Sequence, residues 1–282
     1  MAKSNRTKIV IGNWKMNFSV PESTILLSKY LKEISPANTE VVVCPALIDI
    51  YSAEEVLSGS KIKVGAQNVH WEDMGAYTGE VSAFQLKGFA EYCIVGHSER
   101  RHGPGETDKV VAKKAAACTR HNITPIICVG ENLHENMDGL TQLVVAGQTE
   151  ASLSELTGKE VASSIIAYEP VWAVGTGHIC SPKKAANVIK SIRNLVKALY
   201  GEAAAESVRI VYGGSVDGQN AKGFMAENEI DGFLVGGASL DHESFSKIVN
   251  AVEGKNVKAS SIKAQKTNKS QITNPNKQTK KK

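Results

Sequence analysis

The sequence predicts a closed barrel of eight parallel strands, each followed by a helical segment. Two observations carry this. Short apolar runs recur eight times along the chain, each followed by residues at helical spacing. The runs are rich in Val and Ile and mostly unalternated, as expected of strands covered by helices. A doubly wound open sheet is the other arrangement such units can take. No GxGxxG follows the first run, so the dinucleotide-binding form of that sheet lacks its fingerprint.

Taken in order, residues 8–12 (KIVIG) are the first strand. Pro21 sits where a helix starts, and Ile25, Leu26, Tyr30, Leu31 and Ile34 recur on one helical face. Residues 39–44 (TEVVVC) are the second strand, ended by Pro45, with a shorter helical piece at 50–57. Residues 62–66 are the third strand, followed by a long polar loop at 67–80 and a brief helix at 81–87. The fourth strand, 92–95, ends at Gly96 and His97, and an Ala-rich helix over 107–119 follows, with Thr107 a plausible cap. The fifth strand is 124–129, and a helix follows at 140–153. The sixth strand occupies 163–168. Pro182 opens a long helix to 199, and Ser181 can cap it. The seventh strand at 208–212, a short helix at 220–226, the eighth strand at 230–235 and a helix at 242–251 complete the series.

Residues 1–254 therefore read as one catalytic barrel domain, and residues 255–282 as a lysine-rich tail. The tail holds nine Lys, no Asp or Glu and almost nothing apolar. It cannot build a core and is expected to be disordered. Removing its nine charges from the formal +4 leaves −5 for residues 1–254. The body is mildly acidic, so overall basicity says little about what it binds. A solvated extension is the plain reading of the tail. Contact with nucleic acid or an acidic surface is the sharper one. No aromatic interleaves the lysines, so no stacking platform for bases is present.

Five widely spaced cysteines without a CxxC pair point to a reducing compartment, with the cytoplasm as the expected location. The first ten residues hold no apolar stretch of signal-peptide length. No run approaches transmembrane length, so no membrane partner is expected.

In a barrel of this kind the working groups sit at the C-terminal ends of the strands. Asn13 and Lys15 follow the first strand, His97, Ser98, Glu99 and Arg100 the fourth, and Glu169 the sixth. Gly213, Gly214 and Ser215 follow the seventh, and Gly236 and Gly237 the eighth. The last two groups read as an anion site, because glycine lets backbone N–H groups approach a phosphate. Singly, each is also a tight turn or a helix start.

Glu169 is a carboxylate beneath an apolar loop (Pro170, Val171, Trp172, Ala173, Val174) that carries Gly175, Thr176 and Gly177. Desolvation by such a loop is expected to raise its pKa toward a useful base. His97 can serve as electrophile or proton relay, and Lys15 can steady a developing oxyanion. Asn13 can hydrogen-bond Lys15 or the substrate. The set suits removal of a proton alpha to a carbonyl. Alone, any of these residues is ordinarily a surface or structural group. The remaining histidines form no HxH or HExxH pattern, so neither metal nor cofactor is expected. Arg100 and Glu106 read as a structural pair pinning the loop after the fourth strand.

Seven segments carry a resemblance. They are GNWKMN at 12–17, GAQN at 65–68, GAYTGE at 75–80, GHSERR at 96–101, AYEPVWAVGTG at 167–177, YGGSV at 212–216 and DGFLVGGASL at 231–240. In type and order they resemble the triosephosphate isomerase family, over most of residues 8–250. The resemblance implies an eight-stranded barrel interconverting D-glyceraldehyde 3-phosphate and dihydroxyacetone phosphate through an enediol or enediolate. Glu169 resembles the base, His97 the electrophile and Lys15 the substrate-binding cation beside Asn13. Glu99 resembles the residue that contacts the lysine and helps shuttle protons. Residues 170–180, ending His178, Ile179, Cys180, resemble a phosphate-gripping lid in which the Gly175 backbone reaches the phosphate. Ser215, Gly236 and Gly237 resemble the rest of that site. The family implies work in glycolysis and gluconeogenesis.

It also implies a homodimer in which the 67–80 loop reaches the neighbour, with Thr78 approaching Asn13 and Lys15 of the partner subunit. Gln67, Trp71 and Tyr77 are expected at that interface. Trp71, Met74 and Tyr77 are apolar groups that suit interface anchors, unless they fold back on their own barrel. Two departures stand out. His178-Ile179-Cys180 replaces the usual Lys-Thr-Ala at the lid's C-terminal hinge, which is expected to change opening while leaving the chemistry intact. Ala46 stands where a second proline is common. A different phosphosugar enzyme on the same barrel, or a further binding role for the tail, are the alternatives.

Overall fold

The computed structural model describes residues 6–173 and 180–255. The tail from 256 onward lies outside the described residues. Eight strands close into a parallel barrel in sequence order: β1 (Lys8–Asn13), β2 (Thr39–Cys44), β3 (Ile62–Ala66), β4 (Tyr92–Val95), β5 (Thr124–Val129), β6 (Ile165–Tyr168), β7 (Arg209–Tyr212) and β8 (Gly232–Val235). Closure is made by β1 on β8, with Ile9 opposite Gly232 and Gly12 opposite Val235. The predicted barrel is the observed one, and the open sheet is excluded.

The helices of the outer layer are α1 (Val20–Glu33), α2 (Ile50–Leu57), α3 (Ala83–Leu86), α4 (Ser98–His102), α5 (Asp108–Arg120), α6 (Leu133–Met137), α7 (Thr141–Leu153), α8 (Gly158–Ser163), α9 (Pro182–Tyr200), α10 (Glu202–Ser207), α11 (Ala221–Met225) and α12 (His242–Val252). Their starts follow from local chemistry. The Thr107 hydroxyl accepts from the Val110 N–H at the head of α5, and Ser181 accepts from Lys184 N–H at the head of α9, with Pro182 first in the helix. The sequence reading missed α4, α6, α8 and α10. Each is five or six residues long and too short to show a helical period. Ser163 ends α8, so β6 begins at Ile165 rather than 163.

Two apolar layers result. Ile9, Ile11, Val42, Ile94, Ile126, Ile165, Ala167, Val211 and Leu234 belong to the cluster that fills the barrel. The intervening strand residues, such as Val10, Val41, Val43 and Ile166, pack outward against the helices. Because side chains alternate along a strand, this parity fixes what stands at each end. Continuing the inward series past Ile165 and Ala167 gives Glu169. Past Ile9 and Ile11 it gives Asn13, past Val211 Gly213, and past Leu234 Gly236. At the opposite end the same parity gives Glu40, Lys63 and Arg209. Glu40 accepts from Lys63 Nζ at 2.8 Å and from the Arg209 guanidinium. Burial would raise the Glu40 carboxyl, but its bonds to Lys63, Tyr92 and Arg209 bring it down to about 2. This ion cluster plugs the base.

Candidate active site

At the C-terminal mouth, β4 turns sharply at Gly96, whose φ is +68°. His97 follows and stands before the short helix α4. The His97 Nδ1 accepts the Glu99 backbone N–H at 3.2 Å. An Nδ1 that accepts this N–H leaves the ring hydrogen on Nε2, while burial pushes the imidazole pKa down and the Glu169 and Glu99 carboxylates outweigh it and push it up. That Nε2 lies 3.1 Å from Oε1 of Glu169. The other carboxylate oxygen of Glu169 accepts the Ser98 N–H at 3.2 Å. Two adjacent N–H groups at the start of α4 therefore hold both His97 and Glu169.

Glu169 is 2% exposed and His97 6%. Burial alone would raise the Glu169 carboxyl. The neighbouring His97, the Ser98 N–H and Lys15 outweigh it and hold the group below the usual range. The upward shift expected from the sequence is thus absent in this arrangement. The reason is the His97 ring at 3.1 Å, whose effect together with the Ser98 N–H and Lys15 exceeds that of burial. Glu169 passes beside Gly213, where a Cβ would come within 2.7 Å of Glu169 Cγ.

Lys15 takes a left-handed backbone, φ +54°, with its N–H on Asn13 Oδ1 at 3.1 Å. Its ammonium lies 2.5 Å from Glu99. The Gln67 side-chain N–H groups donate to the carbonyls of Lys15 (2.8 Å) and Cys44 (2.9 Å). Gln67, expected at an interface, holds the Lys15 turn of its own chain. Trp71 likewise folds back: it is half-buried against the core, with the Lys113 ammonium 5.6 Å from its ring centre. Met74 and Tyr77 are the exposed apolar groups of that loop, at 79% and 43%.

A hollow of about 400 Å³ is bordered by Asn13, Lys15, His97, Gly213, Ser215 and Gly237. Gly236 precedes a 3-10 turn, Gly237–Leu240. No atom lies within 4 Å of where a Cβ on Gly237 would stand. Glycines and the Lys15 side chain thus border a common space, and residues of these types suit an anion. A second hollow, about 420 Å³, lies on the other side of Lys15 and reaches Gln67 and Glu99. A third of similar size, about 390 Å³, lies by Leu57, Phe89 and Ile123 and contains none of these groups. Volume does not distinguish the three; the chemistry of the lining does.

One residue escaped the sequence reading. Glu131, just past β5, is fully buried and takes donors from several sides. Tyr168 donates to both oxygens at 3.2 Å, Trp172 Nε1 to Oε1 at 2.7 Å, Asn136 at 3.0 Å and Thr141 at 3.2 Å. The Lys184 ammonium lies over the Trp172 ring, 4.4 Å from its centre. Pro170, Val171, Trp172 and Ala173 are thereby anchored, and Cys180 is buried. Val174, Gly175, Thr176, Gly177, His178 and Ile179 lie outside the described residues. The Arg100–Glu106 pair is present at 2.5 Å, with Lys114 on the same oxygen, and ties the loop after β4 to α5 as expected.

The fold and this mouth define a β/α-barrel enzyme with a carboxylate–imidazole pair beside a glycine-lined hollow. Comparison with known proteins gives the particular family. The family model of triosephosphate isomerase matches residues 8–252. A triosephosphate isomerase of Caldanaerobacter subterraneus subsp. tengcongensis is 47% identical over 246 residues, covering 87% of this chain and 99% of the relative. One from Thermoanaerobacter sp. is 45% identical with the same coverage. One from Clostridium tetani is 48% identical, covering 87% of this chain and 96% of the relative. The chain belongs to the triosephosphate isomerase family and is an isomerase.

Proposed function

We propose that Glu169, His97 and Lys15 carry the interconversion of D-glyceraldehyde 3-phosphate and dihydroxyacetone phosphate. The observation that supports this assignment is the His97 Nε2–Glu169 Oε1 approach of 3.1 Å at the barrel mouth. The substrate phosphate sits in the glycine-lined hollow against Gly236, Gly237 and Ser215, with the Gly175 backbone added from the 170–180 segment. Its carbonyl then faces His97. Glu169 leaves the Ser98 N–H, takes the proton from the carbon beside the carbonyl and returns it to the neighbouring carbon. Between the two transfers the substrate is an enediolate. The Nε2–H of neutral His97 donates to its oxygens, and the Lys15 ammonium balances the charge. Asn13 and Glu99 hold Lys15 in place. A carboxylate base paired with a neutral histidine under a closing loop is the established arrangement of this enzyme family, and these roles follow it.

The test is a coupled assay with glyceraldehyde 3-phosphate. Glu169→Gln keeps the shape and removes the base, so kcat is expected to fall by about 10²–10⁴. Turnover at the parental rate would overturn the assignment.

The catalytic unit is taken as residues 1–254, with the 255–282 segment dispensable for the reaction. Pairing through the 67–80 loop accounts for the exposed Met74 and Tyr77, with the partner subunit's Thr78 seated in the hollow between Lys15 and Gln67. Five unpaired, buried cysteines fit a reducing compartment, and the cytoplasm is our proposed location. No described helix is long and apolar enough to cross a membrane.

A further inference from the structure

The reacting pair hangs on α4, a helix of five residues in which only Ser98 is buried. A helix so short has no stability of its own. Something else must hold it where its first two N–H groups meet Glu169 and His97. The side chain placed to do so is Arg101, which is 10% exposed.

Its guanidinium reaches four elements. Nε donates to the Gly96 carbonyl at the end of β4 (2.8 Å). Nη2 donates to the Cys128 carbonyl in β5 (3.2 Å) and to Ser152 Oγ in α7 (3.3 Å). Nη1 pairs with Asp108 at the start of α5 (2.5 Å). Gly96 is shaped for this contact: a Cβ there would lie 3.1 Å from the guanidinium and 2.8 Å from both Val111 methyls. Behind Glu169, Arg101 lines a tight space together with Ser98, Cys128 and Gly130. One rigid planar cation thus joins the strand that delivers His97 to the strand that backs Glu169. A lysine ammonium is a single point and cannot bridge two carbonyls and a carboxylate in this way.

We propose that Arg101 is a positioning residue for the isomerisation, setting the aim of the α4 N–H pair and hence the separation of His97 from Glu169. It touches neither substrate nor reacting atoms. The inference rests on Glu169 and His97 being the reacting pair.

The test compares Arg101→Lys and Asp108→Asn with the parent enzyme, using thermal melts, kcat, KM and the pH profile of kcat/KM. A misaligned base is expected to lower kcat of Arg101→Lys by about 10–100-fold, with KM little changed because the phosphate hollow is untouched. The Ser98 N–H holds the Glu169 carboxyl down. Loosening it moves the acid limb of kcat/KM to higher pH. Asp108→Asn frees one edge of the guanidinium only and is expected to show the same changes more weakly. It also carries the test if Arg101→Lys does not fold. A purely structural role would lower the melting temperature but leave the acid limb in place. An unmoved limb, or an unchanged kcat, overturns the proposal. Glu169→Gln measured alongside keeps the two ideas apart. If that variant is active, the assignment of the base fails; if it is inactive while the limb stays fixed, only the role of Arg101 fails.

Discussion

Glu40→Gln is expected to destabilise the protein in a pH-dependent way, although Glu40 lies at the opposite end of the barrel from the site. Its side chain is 17% exposed, so solvent screening is limited. The fall from the ordinary 4.5 to about 2 corresponds to about 3 kcal/mol of folded-state stabilisation. A carboxylate held below its unfolded value contributes fully above that value and loses the contribution as pH falls toward the folded one. The gap between parent and variant is therefore flat above about pH 5 and shrinks by about 2 kcal/mol between pH 6 and pH 3. Stranding Arg209 adds a cost that does not follow this curve. Urea unfolding of both proteins at pH 7, 6, 4 and 3 gives the comparison directly. Near neutral pH the 3 kcal/mol lowers the melting temperature by about 6–12 °C. A stability gap constant within about 0.5 kcal/mol from pH 6 to pH 3 would refute the reasoning.

Two further outcomes follow from the mouth. Glu131→Gln replaces an acceptor ringed by donors with a group that is itself partly a donor, at a cost of about 1–3 kcal/mol; it should also change Trp172 fluorescence, and identical spectra and melts would count against the network. Gly213→Ala places a methyl where the Glu169 side chain runs, so kcat is expected to drop by about 10²-fold with the far-ultraviolet circular dichroism preserved; parental turnover would show that the base has room to spare.

The strands were legible because each is a compact Val- or Ile-rich run, and the gathering of Asn13, Lys15, His97 and Glu169 at one mouth was legible because each follows a strand end. Glu169 needed little more than its position after Ile165 and Ala167. The short helices were not legible, since α4 and α6 are stabilised by what they touch rather than by any period of their own. The bonds of Gln67 and the packing of Trp71 within their own chain were not legible for a related reason. A polar loop with aromatic residues looks the same whether it faces a partner or its own chain, and the bonds from Gln67 to Lys15 and Cys44 span residues far apart in sequence. Glu131 carries no local mark: its partners Tyr168 and Trp172 are about forty residues away. The direction of the Glu169 shift was not legible because weighing burial against His97, the Ser98 N–H and Lys15 needs distances that the sequence does not carry.

The alternation of lining residues also limits how this barrel can change. One extra residue inside β6 would turn Glu169 out toward the helices, bring a neighbour in, and invert every strand residue between the insertion and the mouth. Insertions are harmless only beyond the strand ends, so new activities on this scaffold must arise by rewriting loops while the staves keep their count.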